Sequence, residues 1–253
     1  MTMYLIGDIG NTLTKICLVN DKFKISKSFN VETNKLINKN YLSKFLSRIL
    51  KEKIEKKILF SSVVPKIYKN INRFLMKKKF LCYEIKSLPL RKIINIKVDS
   101  FKQLGSDRIA NAIGAFLLFK TNCLIVDFGT ATTFDIVKKP GIYIGGVIAP
   151  GVKLSIMNLN RHTSALPFFE LKINSKSYGT NTKDALNAGF LWGYQGLINN
   201  IIKKIKKSFK CNFKIILTGG YSNMFSKFVK NKTIIDHNIT IKGIMHIYKI
   251  LIK

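Results

Sequence analysis

Asp8-Ile9-Gly10-Asn11-Thr12 and Asp127-Phe128-Gly129-Thr130-Ala131-Thr132 are one turn used twice, each directly after a short run rich in apolar and β-branched residues. Both copies continue alike. An apolar run follows (Leu13 to Val19; Thr133 to Val137), then a turn (Asn20-Asp21-Lys22; Lys138-Lys139-Pro140-Gly141), then another strand-like run. The pattern predicts a β-hairpin with a polar, glycine-rich tip, made twice. Glycine lets backbone N–H groups approach an oxyanion, Thr and Asn add side-chain donors, and Asp supplies a hard oxygen for a cation. One such turn is a weak signal, because Asp and Gly also serve turn geometry alone. Two at equivalent places imply a duplicated fold whose tips can hold a nucleoside triphosphate with its cation.

Outward from the tips the same plan repeats. In the first half a strand over 4–8 enters the hairpin, and an amphipathic helix follows around 36–53, with Leu42, Phe45, Leu46 and Ile49 at helical spacing. A strand over 57–64 ends in Ser61-Ser62-Val63-Val64-Pro65, and a second helix runs from Pro65 through Lys79. In the second half a strand over 124–127 enters a hairpin reaching Ile148. A long helix covers about 183–207, and a strand over 214–217 ends in Thr218-Gly219-Gly220. Hairpin, helix, strand and helix, given twice with short loops, predict two α/β lobes of one ancestry, residues 1–115 and 116–253, with the site in the cleft between them.

The chain has 253 residues, 47% of them hydrophobic, enough for two cores. Cys17, Cys82, Cys123 and Cys211 are widely spaced with no C-x-x-C, and read as reduced core residues. His162, His237 and His246 show no metal-ligand spacing, which argues against zinc. The apolar start lacks a basic leader and no apolar stretch is long enough to span a bilayer, so the expected setting is cytoplasmic, without a membrane. The formal charge is +31, yet only Arg48, Arg73, Arg91, Arg108 and Arg161 among the 44 basic residues are Arg, the residue that bidentate phosphate and base contacts favour. The lysines are spread along the chain and read as solvated helix faces, which argues against nucleic acid as a specific partner.

Among the thirteen acids, Asp8, Asp107 and Asp127 sit beside glycines and are the candidates for chemistry. Leu104-Gly105-Ser106-Asp107-Arg108 precedes an apolar helical stripe of Ile109, Ile113, Phe116 and Leu117, which puts Asp107 at a helix N-terminus. Two readings stand: Asp107 caps that helix, or it does chemistry. Arg108 in the first turn opposes the helix dipole, and so suggests an anionic substrate held against the positive helix end.

Taken together, these residues resemble the type III pantothenate kinase family over essentially the full length of the chain. The family's D-x-G-N-T loop is matched by Asp8 to Thr12, its D-x-G-T-A-T-T loop by Asp127 to Thr133, and its G-x-D-R motif by Gly105 to Arg108. Gly145 to Gly151 matches G-G-x-I-x-P-G. Leu166-Pro167, Asn181-Thr182 and Thr218-Gly219-Gly220 follow in family order. The resemblance implies two lobes of duplicated ribonuclease H-like, actin-like ATPase fold, and ATP-dependent phosphorylation of pantothenate, the first step of coenzyme A synthesis. It implies Asp107 as the base for the pantothenate hydroxyl, with Gly105, Ser106, Arg108 and Thr182 around the substrate. Asp8, Gly10, Asn11, Thr12, Lys15, Thr130 and Thr132 would surround the ATP phosphates. Gly219 and Gly220 would lie under the adenine, unless they form only a strand-ending turn. Asp127 would bind a monovalent cation, K+ or NH4+, with Mg2+ bridging the phosphates, and a homodimer would form through the helix carrying Gly189, Gly193 and Gly196.

Some positions depart from the family pattern. Val98 and Phe101 stand where a Tyr and a Pro are common in the substrate wall, Thr180 where Lys is frequent, and Ser106 where Ala is commoner. Thr182 also reads as a helix N-cap ahead of Asp184. The three glycines of the long helix read as notches for close helix packing. Two other functions fit parts of the pattern: a kinase of the same superfamily acting on another small hydroxylated substrate, and a non-catalytic regulatory or nucleic-acid-binding relative.

Overall fold

A computed structural model describes residues 2–173 and 176–253. The chain divides into two compact units. The first comprises Met1–Lys120, Lys139–Ile144 and Asn238–Lys253, and the second Thr121–Lys138 and Gly145–His237.

In the first unit, strands β1 (Met3–Ile9), β2 (Leu13–Val19) and β3 (Ile25–Glu32) form an antiparallel meander. Helix α1 (Lys39–Ile49) leads to β4 (Ile54–Ser62), which pairs parallel with β1. Helix α2 (Pro65–Lys77) leads to β5 (Leu81–Glu84), giving the order β3-β2-β1-β4-β5. The first helix is shorter than the apolar pattern predicts: Thr33–Ile37 forms a 3-10 turn, and the side chain of Asn38 caps α1 by accepting from the backbone N–H groups of Asn40 and Tyr41. Pro65 opens α2 at the position where a missing N–H costs nothing. Leu5, Ile9, Ile16, Leu18, Ile58 and Phe60 bury one face of the sheet against Leu42, Leu46, Ile67 and Ile71 of the two helices. The opposite face, by the period of two, carries Tyr4, Ile6 and Asp8.

A two-stranded pairing of β6 (Asn95–Ile96) with Ile142 and Tyr143 also belongs to this unit, followed by α3 (Ser106–Phe119). In the second unit β7 (Cys123–Phe128) and β8 (Ala131–Lys138) form the second hairpin, and β9 (Ile142–Pro150) continues into α4 (Val152–Arg161). The long α5 (Thr182–Phe209) is followed by β10 (Lys214–Gly219), the five-residue α6 (Ser222–Ser226) and β11 (Thr233–Ile235). Strand order β9-β8-β7-β10-β11 reproduces β3-β2-β1-β4-β5, with β7–β8 antiparallel and β7–β10 and β10–β11 parallel like their counterparts. Two details differ from the repeated plan. The helix after β10 is one short turn rather than a counterpart of α2, and a stretch without helix or strand among the described residues separates α4 from α5.

The last helix, α7 (Ile239–Leu251), belongs to the first unit, where it packs on α3. The crossing is close because glycines meet backbone. A methyl carbon at Gly114 would sit 2.5 Å from the carbonyl oxygen of Ile239, and one at Gly243 would collide with the carbonyl of Ala110. Tyr248 of α7 meets the Tyr4 ring at 5.3 Å between centroids, so α7 covers the sheet face that carries Asp8.

Candidate active site

Asp8, next to last in β1, pairs with Lys15 of β2 on one side and Ser61 of β4 on the other. Directly opposed residues point to the same face, so carboxylate, ammonium and hydroxyl line one end of the sheet. Gly10, Asn11 and Thr12 make the tip, closed by a hydrogen bond from the Gly10 N–H to the Leu13 carbonyl at 3.1 Å. Buried Thr33, which sequence reasoning did not single out, fixes the tip from behind. Its hydroxyl donates to the Gly10 carbonyl at 2.7 Å, its N–H donates to the Thr12 carbonyl at 2.9 Å, and Thr14 Oγ1 lies 2.9 Å from Thr33 Oγ1. The tip is therefore held by its backbone, while Asn11 and Thr12 remain exposed.

The start of α3 lies at the same end of this sheet. Val63 donates its N–H to the Ile9 carbonyl at 3.1 Å, and a methyl carbon at Gly105 would lie 3.5 Å from Val63 Cγ1. That same carbon would collide with Asp107 Oδ1, so a side chain at 105 would displace the Asp107 carboxylate. Gly105 occupies the N-cap position with no side-chain cap, and Asp107 stands in the first turn, its Oδ1 accepting from the Arg108 N–H at 2.8 Å. Burial pushes the Asp107 carboxyl up from its ordinary value of 3.8, against the lowering effects of the Arg108 N–H, the Arg108 charge and Lys86. A desolvated carboxylate of raised basicity suits a general base. Ser106, buried, donates its hydroxyl to Glu84 Oε1 at 2.5 Å, while Glu84 Oε2 accepts from the Lys86 N–H at 2.8 Å. The departure from Ala at position 106 is thus used to tie α3 to the end of β5. Phe101 is part-exposed, with the Lys86 ammonium 5.8 Å from its ring centroid.

In the second unit Asp127 pairs with Thr133 of β8 and Thr218 of β10. The tip is tighter, closed from the Gly129 N–H to the Ala131 carbonyl at 3.1 Å. Gly219 takes φ +84, and a methyl carbon there would lie 2.5 Å from the Phe128 carbonyl and 2.7 Å from Asp127 Oδ1, while the Gly220 N–H donates to the Phe128 carbonyl at 3.1 Å. Gly151 packs on the backbone of Thr130 so closely that no side chain fits. Thr130 is exposed. Thr132 is fully buried, and its hydroxyl oxygen has no hydrogen-bond partner among the described residues, as is also true of Ser61. Asp127 is opposed by Thr133 and Thr218, and the Thr133 hydroxyl donates to Oδ2 of buried Asp135 at 3.4 Å. Carboxylate and hydroxyl oxygens thus line this end of the sheet, a hard-oxygen composition that suits K+ or Mg2+ better than a soft metal. Among the described residues no three His, Cys, Asp or Glu gather into a metal-binding group.

Thr182 is not the cap of α5. Asn181 is, accepting from the Asp184 N–H at 3.0 Å and donating its amide to Asp184 Oδ2 at 3.0 Å, so Thr182 is the first helical residue and exposed. Asparagine wins because its carbonyl reaches the third N–H from the non-helical position that capping requires. Thr182 lines a largely apolar groove of about 570 Å³ with Leu166, Leu186, Gly189, Phe190 and Gly193. Gly189, Gly193 and Gly196 read as notches for close helix packing. Added methyl carbons there meet nothing within 4 Å, so the notches are open.

A family model described as type III pantothenate kinase matches residues 4–204. The type III pantothenate kinase of Pelagibacter ubique (strain HTCC1062) is 49% identical over 244 residues, covering 96% of this chain and 97% of that one. Solved structures show the fold at low identity. Ethanolamine utilization protein EutJ from Carboxydothermus hydrogenoformans superposes with a TM-score of 0.59 at 11% identity, covering 96% of this chain and 89% of that one. Inorganic polyphosphate/ATP-glucomannokinase from Arthrobacter sp. strain KM does so at 0.52 and 12%, covering 97% and 98%. The duplicated α/β architecture is that of the actin-like ATPase superfamily. No helix is long and apolar enough to cross a membrane among the described residues.

Proposed function

The chain belongs to the type III pantothenate kinase family, whose activity is ATP-dependent phosphoryl transfer, and from that premise we propose how its own residues divide the phosphorylation of pantothenate to 4′-phosphopantothenate. Asp107 is the base: as the pantothenate hydroxyl oxygen attacks the γ-phosphorus, its proton passes to the Asp107 carboxylate and ADP leaves. The observation that carries this reading is the place of that part-buried carboxylate in the first turn of α3, at the sheet end where Asp8, Lys15 and the Gly10–Thr12 tip converge. Arg108 and the start of α3 hold the substrate's own carboxylate, with Gly105, Ser106 and Thr182 completing the pantothenate site. Phosphoryl transfer needs positioning and charge neutralisation more than covalent help. Lys15 and the backbone N–H groups and side chains of Gly10, Asn11, Thr12, Thr130 and Thr132 supply those for the triphosphate, with Asp8 beside them and Gly219-Gly220 beneath the adenine.

Asp127, with the oxygens of Thr133 and Thr218 beside it, would hold the cation. A bound K+ or NH4+ there, with Mg2+ on the phosphates, would neutralise triphosphate charge. The open, glycine-notched face of α5 beside an apolar groove supports a homodimer through that surface. Light scattering that finds only monomer at micromolar protein would overturn the dimer.

The deciding experiment is an ADP-release assay with pantothenate, ATP, Mg2+ and K+, with the product identified by mass spectrometry. The expected product is 4′-phosphopantothenate. Its absence, with folded protein and both cations present, would overturn the reading.

A further inference from the structure

The Lys15 ammonium donates to the side-chain oxygen of Asn238 at 2.7 Å, a contact across 223 positions of sequence. Asn238 stands at the N-cap position of α7, yet its side chain caps nothing. Its backbone, at φ −113 and ψ 11, is outside the extended form in which a capping side chain reaches back to the helix. An asparagine at that position ordinarily stabilises a helix by about 1 kcal/mol through capping. Here that hydrogen-bonding capacity is given to Lys15 instead.

Asn238 is also well fixed. Its carbonyl accepts from the Lys242 N–H at 2.8 Å, and Thr240 two residues on donates to Asn111 Oδ1 of α3 at 2.7 Å, next to the glycine crossing of the two helices. A lysine side chain has four rotatable bonds, and ordering it at the moment of ligand binding costs affinity. A fixed acceptor removes part of that cost beforehand. The acceptor's neutrality matters as well: a carboxylate would hold the ammonium equally well while cancelling its charge toward phosphate. Resting on the reading of Lys15 as a phosphate contact, we propose that Asn238 is a positioning residue that presents the Lys15 ammonium, charge intact, to the ATP phosphates.

The test compares steady-state constants of the full-length protein and its variants. Asn238→Asp keeps the oxygen and its reach but pairs the charge, and an acid at a helix N-terminus favours folding. It is expected to raise the KM for ATP about tenfold and leave the KM for pantothenate unchanged. Asn238→Ala, which frees the ammonium without neutralising it, is expected to raise the ATP KM by a smaller factor. In a Lys15→Met background, adding Asn238→Asp is expected to change the ATP KM no further. Equal effects of Asn238→Asp with and without Lys15 would overturn the proposal, as would an unchanged ATP KM in Asn238→Asp when Lys15→Met raises it. If Lys15→Met alone leaves the ATP KM unchanged, the assignment of Lys15 to the phosphates has failed and the role of Asn238 falls with it.

Discussion

The two hairpin tips follow one plan and differ in the charge set against their aspartates. Asp8 and Asp127 occupy the same place, at the end of the central strand of each sheet, with a hydroxyl residue opposite on the parallel neighbour, Ser61 and Thr218 respectively. On the antiparallel neighbour they part company, since Asp8 faces Lys15 and Asp127 faces Thr133. The first tip is also one residue longer, closing from Gly10 to Leu13 where the second closes from Gly129 to Ala131. A lysine across from the acid, its ammonium held by neutral Asn238, puts a positive charge where an anion can use it. A threonine there leaves the acid's negative charge for a cation. Duplication supplied two equivalent turns, and the proposed placing of the cation at Asp127 rather than at Asp8 rests on this single cross-strand position.

The largest expected effect concerns a residue with no acidic counterpart in the other copy. Asp107 is the second residue of α3, after the N-cap Gly105, whereas the second residue of α7, the last helix of the other copy, is Thr240, after the N-cap Asn238. Asp107→Asn is expected to lower kcat by about 10²–10⁴-fold. Its melting temperature should be unchanged or slightly raised. Because burial raises the folded-state pKa, the carboxyl's contribution to stability is present below its unfolded value and is lost as pH rises through the folded value, so removing the charge costs nothing at neutral pH. For the same reason the acid limb of kcat/KM should fall away at a pH above 3.8, the ordinary value for aspartate. Near-wild-type turnover of the variant at saturating pantothenate would leave Asp107 no role as base.

Exchanging the cross-strand residues tests the comparison itself. Lys15→Thr, which makes the first tip resemble the second, should weaken ATP binding about 10–100-fold, the loss of one charge-assisted contact. Thr133→Lys should abolish activation by K+ and reduce the rate about tenfold, by placing an ammonium against Asp127. Titration of rate against K+ checks this, and retained K+ stimulation in Thr133→Lys would break the assignment of cation and anion to the two tips.

Smaller effects separate glycines that are used from those that are open. Gly219→Ala forces a side chain into a left-handed backbone against the Phe128 carbonyl, and should destabilise the protein by about 1–2 kcal/mol in denaturant unfolding. Gly193→Ala meets nothing within the chain and should stabilise the protomer by about 0.5–1 kcal/mol through helix propensity. The same variant is expected to weaken the homodimer, measured as a higher dissociation constant by sedimentation. If Gly193→Ala leaves self-association unchanged, the notched face is not the interface.

Much of the architecture was readable before any coordinate. Periodicity placed both hairpins, and Leu13–Val19 came out to the residue, because alternation against a one-sided core leaves little freedom of register. Pro65 marked a helix start for a reason local to proline. Helix boundaries set by competing caps were less legible: Asn38 shortened α1, and Asn181 took the capping position that Thr182 also fitted. The glycines of α5 read as packing notches and are open within the protomer, whereas the close crossing inside the chain uses Gly114 and Gly243, which no spacing rule connects. Thr33, Ser61 and Glu84 carried no local signal either. Only Ser61 had an indirect one, since aligning the two copies sets it against Thr218.

The sequence by itself determined the duplication, the strand-turn-strand units and the residue types at each tip, because these follow from periods of two and 3.6 and from turn chemistry acting over a few residues. Which residues meet across the chain was decided only by tertiary structure. The return of the C-terminal helix to the first unit puts Asn238 against Lys15 and Gly243 against Ala110. These are contacts at long sequence separation, selected by the packing of whole helices on a sheet, with no imprint on any local pattern.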